Sequence, residues 1–343
     1  MIREAIDALV EGQSLTMDEA AGAMNEIMEG KATPAQFGAY VTALRLKGET
    51  VEEIAGMARV MREKALRVVV SGVLVDTAGT GGDRSGSFNI STTAAFVLSA
   101  AGCQVAKHGN RGVSSGVGSA DVLESLGCPL TADPEISARL LSETGFAFLY
   151  APAHHPALAT VGPIRKALGI RTIFNLLGPL VNPACARRQL IGVFDPAMVR
   201  PMAEALLELE SERALVVHCE GLDEIGLHAP TQGVSLEHGT LTDITIDPTA
   251  LGFEHAPIEA LKGGDAAANA ATTREVLGGA AGPKSDIVAL NAGVALSLTD
   301  VASDHAAGVE LARELLSSGA ALRALDKHIA AARAAATAEG DTS

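Results

Sequence analysis

The sequence lacks the features that mark several large classes of protein. It has no apolar run of membrane-spanning length, and its N-terminus lacks the apolar core of a secretory signal. Its few cysteines are scattered without the spacing of metal ligands, and they are Cys103, Cys128, Cys185 and Cys219. We therefore expect a cytoplasmic protein with reduced thiols and no membrane segment.

Basic residues are also scarce. The chain has 26 lysines and arginines against 41 acidic residues, which gives a formal net charge of -15. This balance argues against a nucleic-acid partner, because binding the phosphate backbone requires a positive surface. An anionic substrate would have to be held by local positive groups. With 343 residues and 48% apolar content, the chain can bury a large core, which predicts two domains.

The most informative stretch is the first glycine-rich segment, residues 76–89, with the sequence Asp-Thr-Ala-Gly-Thr-Gly-Gly-Asp-Arg-Ser-Gly-Ser-Phe-Asn. It lies between an apolar run, Val73–Val75, and a helix-like run, Ala94–Ala101. Glycines let backbone N–H groups approach an anion, and a helix N-terminus adds partial positive charge. A phosphate-binding loop is therefore predicted, although a tight turn without a ligand would also explain the glycines. A P-loop lysine is absent, and Arg84 stands where the dinucleotide fingerprint needs glycine.

The second glycine-rich segment, residues 107–124, has the same character and adds the cations Lys107 and Arg111. It follows a strand-like run, Gln104–Ala106, and leads into a helix for which Ser119 is a candidate N-cap. Ligands of parallel sheets bind beyond the carboxyl ends of the strands. The two segments could therefore hold one polyanion from two sides, with a solvated basic turn as the alternative.

Sequence periodicity predicts the fold class. Three capping boxes predict helices near residues 17–29, 34–47 and 51–64, and they are Thr16 with Glu19, Thr33 with Gln36, and Thr50 with Glu53. Further along, strand-like runs alternate with helical patterns, and these runs are Val73–Val75, Gln104–Ala106, Phe146–Tyr150, Leu190–Phe194 and Ala214–His218. We predict an α/β protein with a small all-helical N-terminal domain and a larger domain with a mostly parallel central sheet flanked by helices.

Two further features have ordinary explanations on their own. Asp223-Glu224 follows the last predicted strand, and such a pair is usually a solvated acidic turn, although magnesium is often held by one or two carboxylates with substrate phosphates. Arg165 lies in a fairly apolar helix-like run and could be a surface arginine, although a guanidinium also matches a carboxylate bidentately. The residues alone leave both choices open.

Taken together, the motifs resemble the anthranilate phosphoribosyltransferase family over nearly the whole chain. The motifs that carry the resemblance are Gly-Thr-Gly-Gly-Asp at 79–83, Asn-Ile-Ser-Thr at 89–92, Ala151-Pro152, His155-Pro156-Ala157, the run from Arg165 to Pro183, Gly221–Glu224, Gly263–Asp265 and Asn291-Ala292. The resemblance implies transfer of the phosphoribosyl group of phosphoribosyl pyrophosphate to the amine of anthranilate. The products would be N-(5-phosphoribosyl)anthranilate and pyrophosphate, in the second step of tryptophan biosynthesis from chorismate.

The resemblance also implies roles for individual residues. It implies phosphoribosyl pyrophosphate binding by Gly79, Thr80, Gly81, Gly82, Asp83, Ser87, Asn89, Ile90, Ser91, Thr92, Lys107, His108, Gly109, Asn110, Arg111, Gly112, Val113, Ser114, Ser115 and Ser119. It implies anthranilate binding by Gly79, Asn110 and Arg165, and magnesium binding, with two ions expected, by Ser91, Asp223 and Glu224. His108 is a possible catalytic residue, but no general base is assigned, because an aromatic amine attacks as a neutral group.

The domain organisation follows from the same resemblance. Residues 156–180 are strongly helical in pattern, and the resemblance implies that this segment returns to the helical unit. The predicted small domain is therefore residues 1–66 plus approximately 156–182, and the large domain is residues 67–155 and 183–343. The family is usually homodimeric through the helical unit, so a homodimer is expected.

Three departures and two alternatives qualify this interpretation. Arg84 replaces a common glycine, while Gly116 and Ala159 replace commonly basic residues, so we hypothesise that Arg84 partly compensates for Gly116. A pyrimidine nucleoside phosphorylase would share the fold, but the residues around Asn110 and Arg165 argue against it. A non-catalytic relative that binds nucleic acid would need a basic surface, which the net charge of -15 disfavours.

Overall fold

The N-terminal part of the chain is a bundle of helices. A computed structural model describes residues 1–112 and 116–340, and its first helices are α1 (Ile2–Val10), α2 (Met17–Met28), α3 (Pro34–Lys47) and α4 (Val51–Lys64). Thr16, Thr33 and Thr50 cap α2, α3 and α4, and each forms the complete capping box. The three predicted helices are confirmed. Helix α1 was not predicted, and it begins without a side-chain cap.

The larger part of the chain is built on one sheet. Its strands are β1 (Leu74–Gly79), β2 (Gln104–Gly109), β3 (Phe146–Tyr150), β4 (Arg188–Gly192), β5 (Arg213–His218), β6 (Thr231–Glu237) and β7 (Thr240–Ile246). Within the described residues the strand order is β3-β2-β1-β4-β5-β6-β7. Strands β1 to β5 pair in parallel, whereas β6 and β7 are antiparallel additions. The prediction of a mostly parallel sheet is confirmed.

The hairpin of β6 and β7 was missed by the sequence analysis. His238 and Gly239 form its two-residue turn with φ of 45° and 85°, which matches the twist that short hairpins require. Strand β7 is a largely exposed edge strand with few apolar residues. Its weak apolar alternation explains why it was not predicted.

Helices cover both faces of the sheet. They are α5 (Ile90–Ala100), α6 (Ser119–Ser125), α7 (Pro134–Thr144), α8 (Ala151–His154), α9 (Gly162–Leu168), α10 (Phe174–Leu177), α11 (Val199–Glu208), α12 (Ala266–Leu277), α13 (Pro283–Ser297), α14 (His305–Ser317) and α15 (Ala320–Gly340). Asp133 caps α7 as predicted. None of the helices in the described part of the chain is long and apolar enough to cross a membrane.

Residues 156–182 are less helical than predicted. They form a 3₁₀ turn at Pro156–Thr160, the short helices α9 and α10, and a second 3₁₀ turn at Gly178–Leu180. Gly169 ends α9 in the left-handed region at φ 62°, and Pro179 lacks the N–H that would continue α10. The segment was predicted to be strongly helical, but its helices are short and are interrupted by turns.

The buried side chains form two clusters. One cluster lies around β1, β2 and β3 and the helices α5, α13 and α15. The other joins the N-terminal helices to residues 161–181 and to one face of β4 to β6. Phe37 of α3 contacts Phe174 of α10, with ring centroids 5.5 Å apart. Residues 161–181 therefore pack on the helical bundle.

Candidate active site

The first glycine-rich segment continues from the carboxyl end of β1 and meets the loop that follows β5. The Gly81 N–H donates to Asp223 Oδ2 at 2.7 Å. A Cβ at Gly79 would lie 2.6 Å from the same oxygen, so no larger residue fits there without displacing Asp223. Gly81 and Gly82 have φ of 67° and 77°, which favours glycine. The Gly81 N–H, which is one of the predicted phosphate donors, is therefore paired with the Asp223 carboxylate.

The start of α5 meets the second carboxylate of the pair. The Ser91 N–H, in the first turn of α5, donates to Glu224 Oε1 at 3.1 Å. Lys107 Nζ donates to Ser91 Oγ at 3.3 Å and also to the carbonyl of Thr77. The structure thus brings together the three predicted metal-binding residues and Lys107.

Burial raises the pKa of both carboxyls. The pKa of Asp223 is well above its usual range, first because of burial and then because of the nearby charges of Asp83 and Glu224. The pKa of Glu224 rises to about 7, again mainly through burial, although Lys107 acts in the opposite direction. Crowded, partly buried carboxylates favour a bound cation, which would offset both effects.

The donor set fits magnesium better than a metal bound by protein alone. In residues 1–112 and 116–340, no three acidic, histidine or cysteine side chains converge into a complete metal site. Magnesium commonly takes one or two carboxylates and completes its coordination with water and substrate phosphates. Asp223, Glu224 and the Ser91 hydroxyl match that requirement.

Lys107 lies in a buried polar network rather than on a loop surface. It is 1% exposed, and burial lowers its pKa while Asp76 and Glu224 act to raise it. Asp76 accepts from Asn182 Nδ2 at 2.8 Å, and burial raises the Asp76 pKa to about 6. This network places the Lys107 amine next to Ser91 and close to Glu224.

His108 is buried beside this network. Its Nδ1 lies 2.9 Å from the Gly178 carbonyl, which can only accept, so the proton is on Nδ1. Its Nε2 is buried and has no hydrogen-bond partner among the described residues. Burial, followed by the nearby His155, lowers the pKa of His108 to about 3. The ring is therefore neutral near pH 7 and presents a free lone pair.

The cation of the second glycine-rich segment is paired within its own segment. Arg111 Nη2 donates to Glu124 Oε1 at 2.7 Å, and Arg111 Nη1 lies 3.2 Å from Asp121 Oδ1. The pKa of Arg111 is raised, first by Glu124. Asn110 is exposed, and its Oδ1 accepts from the Arg111 N–H at 2.7 Å. Of the predicted ligands, Val113, Ser114 and Ser115 lie outside the described residues.

The N-cap predicted for α6 was wrong. Ser119 is the first helical residue, and Gly118 occupies the cap position. Asp121 Oδ2 instead accepts from the N–H groups of Gly112 and Gly118, each at 2.9 Å. Gly118 is closely packed, since a Cβ there would lie 2.4 Å from the Asn110 carbonyl oxygen. The Asp121 carboxylate therefore links Gly112 to Gly118 through two hydrogen bonds.

The two glycine-rich segments contact each other directly. Asn89 Nδ2 donates to the Val117 carbonyl at 2.8 Å, and Thr92 Oγ1 donates to Ser119 Oγ at 3.0 Å. The remaining predicted ligands lie on these segments or at the start of α5. Ile90 is buried, Ser87 and Gly109 are partly buried, and Thr80 Oγ1 accepts from the Phe194 N–H at 3.0 Å. The two segments therefore meet beyond the carboxyl ends of β1 and β2, and their joint binding of a polyanion stays a prediction.

Arg165 and Arg171 extend from the segment between β3 and β4. The Arg165 guanidinium lies 5.2 Å from the ring centroid of Phe174, burial lowers its pKa, and no acidic side chain of the described residues pairs with it. Arg171 was given no role by the sequence analysis. It donates from Nη2 to the Gly82 carbonyl and lies 4.1 Å from the ring centroid of Phe194. Its place inside the motif from Arg165 to Pro183 was the available signal.

Two family models match the chain, and their limits follow the two folding units. The helical bundle domain of a glycosyl transferase family matches residues 3–65, and the a/b domain of a glycosyl transferase family matches residues 71–322. The fold and the site together define a glycosyl transferase.

Full-length relatives identify the family. The anthranilate phosphoribosyltransferase of Chloroflexus aggregans is 52% identical over 335 residues, which are 97% of this chain and 98% of that protein. The enzyme of Dehalococcoides mccartyi is 48% identical over 332 residues, which are 96% of this chain and 97% of that protein. The chain belongs to the anthranilate phosphoribosyltransferase family, as the sequence motifs predicted.

Solved structures of the same family have the same fold. Anthranilate phosphoribosyltransferase from Thermus thermophilus has a TM-score of 0.90 and 45% identity, and the match covers 96% of this chain and 99% of that one. The Saccharomyces cerevisiae enzyme in complex with PRPP and Mg has a TM-score of 0.88 and 26% identity, covering 97% and 98%. The yeast enzyme was also solved with 4-fluoroanthranilate. The predicted fold class is confirmed.

Proposed function

We propose that this protein transfers the phosphoribosyl group of phosphoribosyl pyrophosphate to the amine of anthranilate. The reaction takes place at the carboxyl ends of β1, β2 and β5. The observation that carries this assignment is the convergence of Gly81, Ser91, Asp223 and Glu224, which combines anion donors with magnesium-type ligands. Family membership and the yeast enzyme's complexes with PRPP and Mg and with 4-fluoroanthranilate support it.

The pyrophosphate binds to the donors of the two glycine-rich segments in this proposal. The N–H groups of Gly81 and Ser91 now donate to carboxylates, which therefore occupy positions suited to an anion. Asp223 and Glu224 must turn away from these donors when the substrate arrives. The released N–H groups and the start of α5 then stabilise the negative charge that develops on the leaving pyrophosphate.

Asp223, Glu224 and the Ser91 hydroxyl are the proposed magnesium ligands, with two ions expected. When bound, magnesium would neutralise charge on the pyrophosphate and so make it a better leaving group. Lys107 Nζ donates to the Ser91 hydroxyl, and its interaction with Glu224 favours the charged form of both side chains.

Anthranilate, the acceptor substrate, is proposed to bind where Arg165 enters the site. Arg165 has a guanidinium without an acidic partner among the described residues, and it can bind the anthranilate carboxylate in a fork geometry. Gly79 and Asn110 are proposed to complete this pocket. The His108 Nε2 lone pair can accept a hydrogen bond from the substrate. Holding the amine beside the anomeric carbon then contributes by orientation.

We further propose that the protein works in the cytoplasm as a homodimer through the helical bundle. The domain limits remain those predicted, with residues 156–182 moving together with residues 1–66. Packing of residues 161–181 against the bundle supports that division.

The direct test follows the loss of anthranilate fluorescence on mixing with phosphoribosyl pyrophosphate and magnesium. We expect loss that requires all components, and Arg165→Met should raise the KM for anthranilate by about tenfold or more. Arg139→Met removes an exposed arginine from α7 and serves as the matched control. An unchanged KM in Arg165→Met would contradict the assignment of the carboxylate site.

A further inference from the structure

Four consecutive carbonyls, here called the carbonyl turn (residues 178–181), each accept a hydrogen bond from a side chain of another element. The pairs are Gly178 with His108 Nδ1 at 2.9 Å, Pro179 with Gln189 Nε2 at 2.9 Å, Leu180 with Arg62 Nε at 2.6 Å, and Val181 with His155 Nε2 at 3.0 Å. These donors come from β2, β4, α4 and the residue after α8. The Gly178 carbonyl also accepts from the Val181 N–H within the turn at 3.4 Å, so the turn is held by its own 3₁₀ bond and by side chains of four other elements.

Arg62 is the donor that comes from the helical bundle. Besides the Leu180 carbonyl, its Nη1 donates to the Leu209 carbonyl at 3.1 Å. Leu209 is the C-cap residue of α11, so the guanidinium lies at the negative end of a helix dipole. Burial lowers the pKa of Arg62, and no carboxylate in the described ranges forms an ion pair with it.

The hydrogen bonds of Arg62 to two carbonyls offset little more than the free energy lost when its charge is removed from water. The geometry of Arg62 has a clear consequence, because it joins α4, the carbonyl turn and α11 at one point. Gln189 is fully buried and donates to the adjacent carbonyl from β4. Arg62 and Gln189 together fix the turn between the bundle and the sheet.

The carbonyl turn directly follows α10, whose Phe174 lies under the guanidinium of Arg165. A shift of the turn would therefore move Phe174 and change the position of Arg165. We propose that Arg62 is a positioning residue for anthranilate binding, which it promotes by fixing the carbonyl turn and hence Arg165. This inference rests on the proposed binding of the anthranilate carboxylate by Arg165.

The test compares Arg62→Met with Arg59→Met. Arg59 lies on the same helix, but its guanidinium pairs with Asp18 within the bundle at 2.7 Å. We expect Arg62→Met to raise the KM for anthranilate by about tenfold, while the KM for phosphoribosyl pyrophosphate changes by less than about twofold. Arg59→Met should leave both constants unchanged.

Rescue separates positioning from general stability. Arg62→Lys keeps one donor and should recover part of the affinity for anthranilate, and millimolar guanidinium should do the same for Arg62→Ala. Gln189→Met removes the hydrogen bond to the Pro179 carbonyl without removing a charge, and it should also raise the KM for anthranilate. If Arg62→Met does not fold, Gln189→Met and Arg62→Lys carry the test.

Several outcomes would overturn the inference. Equal changes in the KM of both substrates, tracking the loss of thermal stability, would show a merely structural role. An unchanged KM for anthranilate in both Arg62→Met and Gln189→Met, with Arg165→Met impaired, would refute this inference alone. An unchanged KM in Arg165→Met would instead refute the proposed anthranilate site on which the inference depends.

Discussion

The two glycine-rich segments both carry carboxylates where a polyanion is expected, but the carboxylates come from different places. In the first segment and the start of α5 that follows it, Gly81 and Ser91 donate to Asp223 and Glu224, which lie more than a hundred residues away in the chain. In the second segment, Arg111 pairs with Glu124, only 13 residues away and on the helix that follows. The first arrangement is long-range and partly buried, and the second is local and exposed.

This difference indicates different roles for the two sets of carboxylates. The partly buried pair has raised pKa values, first because of desolvation and then because of nearby negative charge, and a bound cation would offset both. The exposed pair of Arg111 and Glu124 is screened by solvent and contributes little. Substrate binding should therefore depend strongly on the first set and weakly on the second.

The largest expected effect comes from the double variant Asp223→Asn/Glu224→Gln. We expect kcat/KM to fall by at least about a hundredfold, because the proposed metal ligands lose their charge. The thermal midpoint should not fall, because the variant removes partly buried negative charges that repel each other. The fluorescence assay and a melting curve measure these effects. Substantial activity in this variant would show that the reaction does not depend more on Asp223 and Glu224 than on the carboxylates of the second segment.

A smaller effect is expected from pH. Because the pKa of Glu224 is raised to about 7, its proton must leave before the carboxylate can bind magnesium. The apparent magnesium affinity should therefore fall as the pH drops through 7, by up to about tenfold per pH unit for a single proton. Calorimetry in buffers of different ionisation enthalpy measures the released proton. Affinity that stays constant from pH 6 to 8 would contradict this prediction.

Releasing the cation of the second segment should have a modest effect. Glu124→Gln removes the main partner of Arg111 and leaves the guanidinium available to the pyrophosphate. We expect the KM for phosphoribosyl pyrophosphate to fall by about two- to fivefold, the range of an exposed ion pair. Steady-state kinetics at low and high salt measures this effect. A rise in this KM would mean that the ion pair orders the loop for binding.

The smallest effect is expected at Arg84, the cation that the first segment gains. Arg84 is exposed and has φ of 65°, where glycine is favoured, so Arg84→Gly should relieve backbone strain and raise the thermal midpoint. If Arg84 compensates for Gly116, the KM for phosphoribosyl pyrophosphate should rise by about twofold. An unchanged KM would refute the compensation, whatever happens to the melting temperature.

The residues also show where sequence analysis reached its limits. Thr16, Thr33 and Thr50 cap helices through contacts with residues three positions ahead, so their sequence signal is complete. Ser119 looked equally suited to capping, yet the cap position belongs to Gly118. The close packing of Gly118 against the Asn110 carbonyl fixes that choice, and it is a tertiary contact.

The sequence by itself determined the helical bundle, the parallel strands, the family and the identity of the two glycine-rich segments, because these depend on local periodicity and on motifs in order. Only the tertiary structure decided that Asp223 and Glu224 lie against the donors of the first segment, that Arg111 is already paired, and that Arg62 and Arg171 join separate elements. These contacts depend on which strand ends and helices the fold brings together, and no local pattern encodes that proximity.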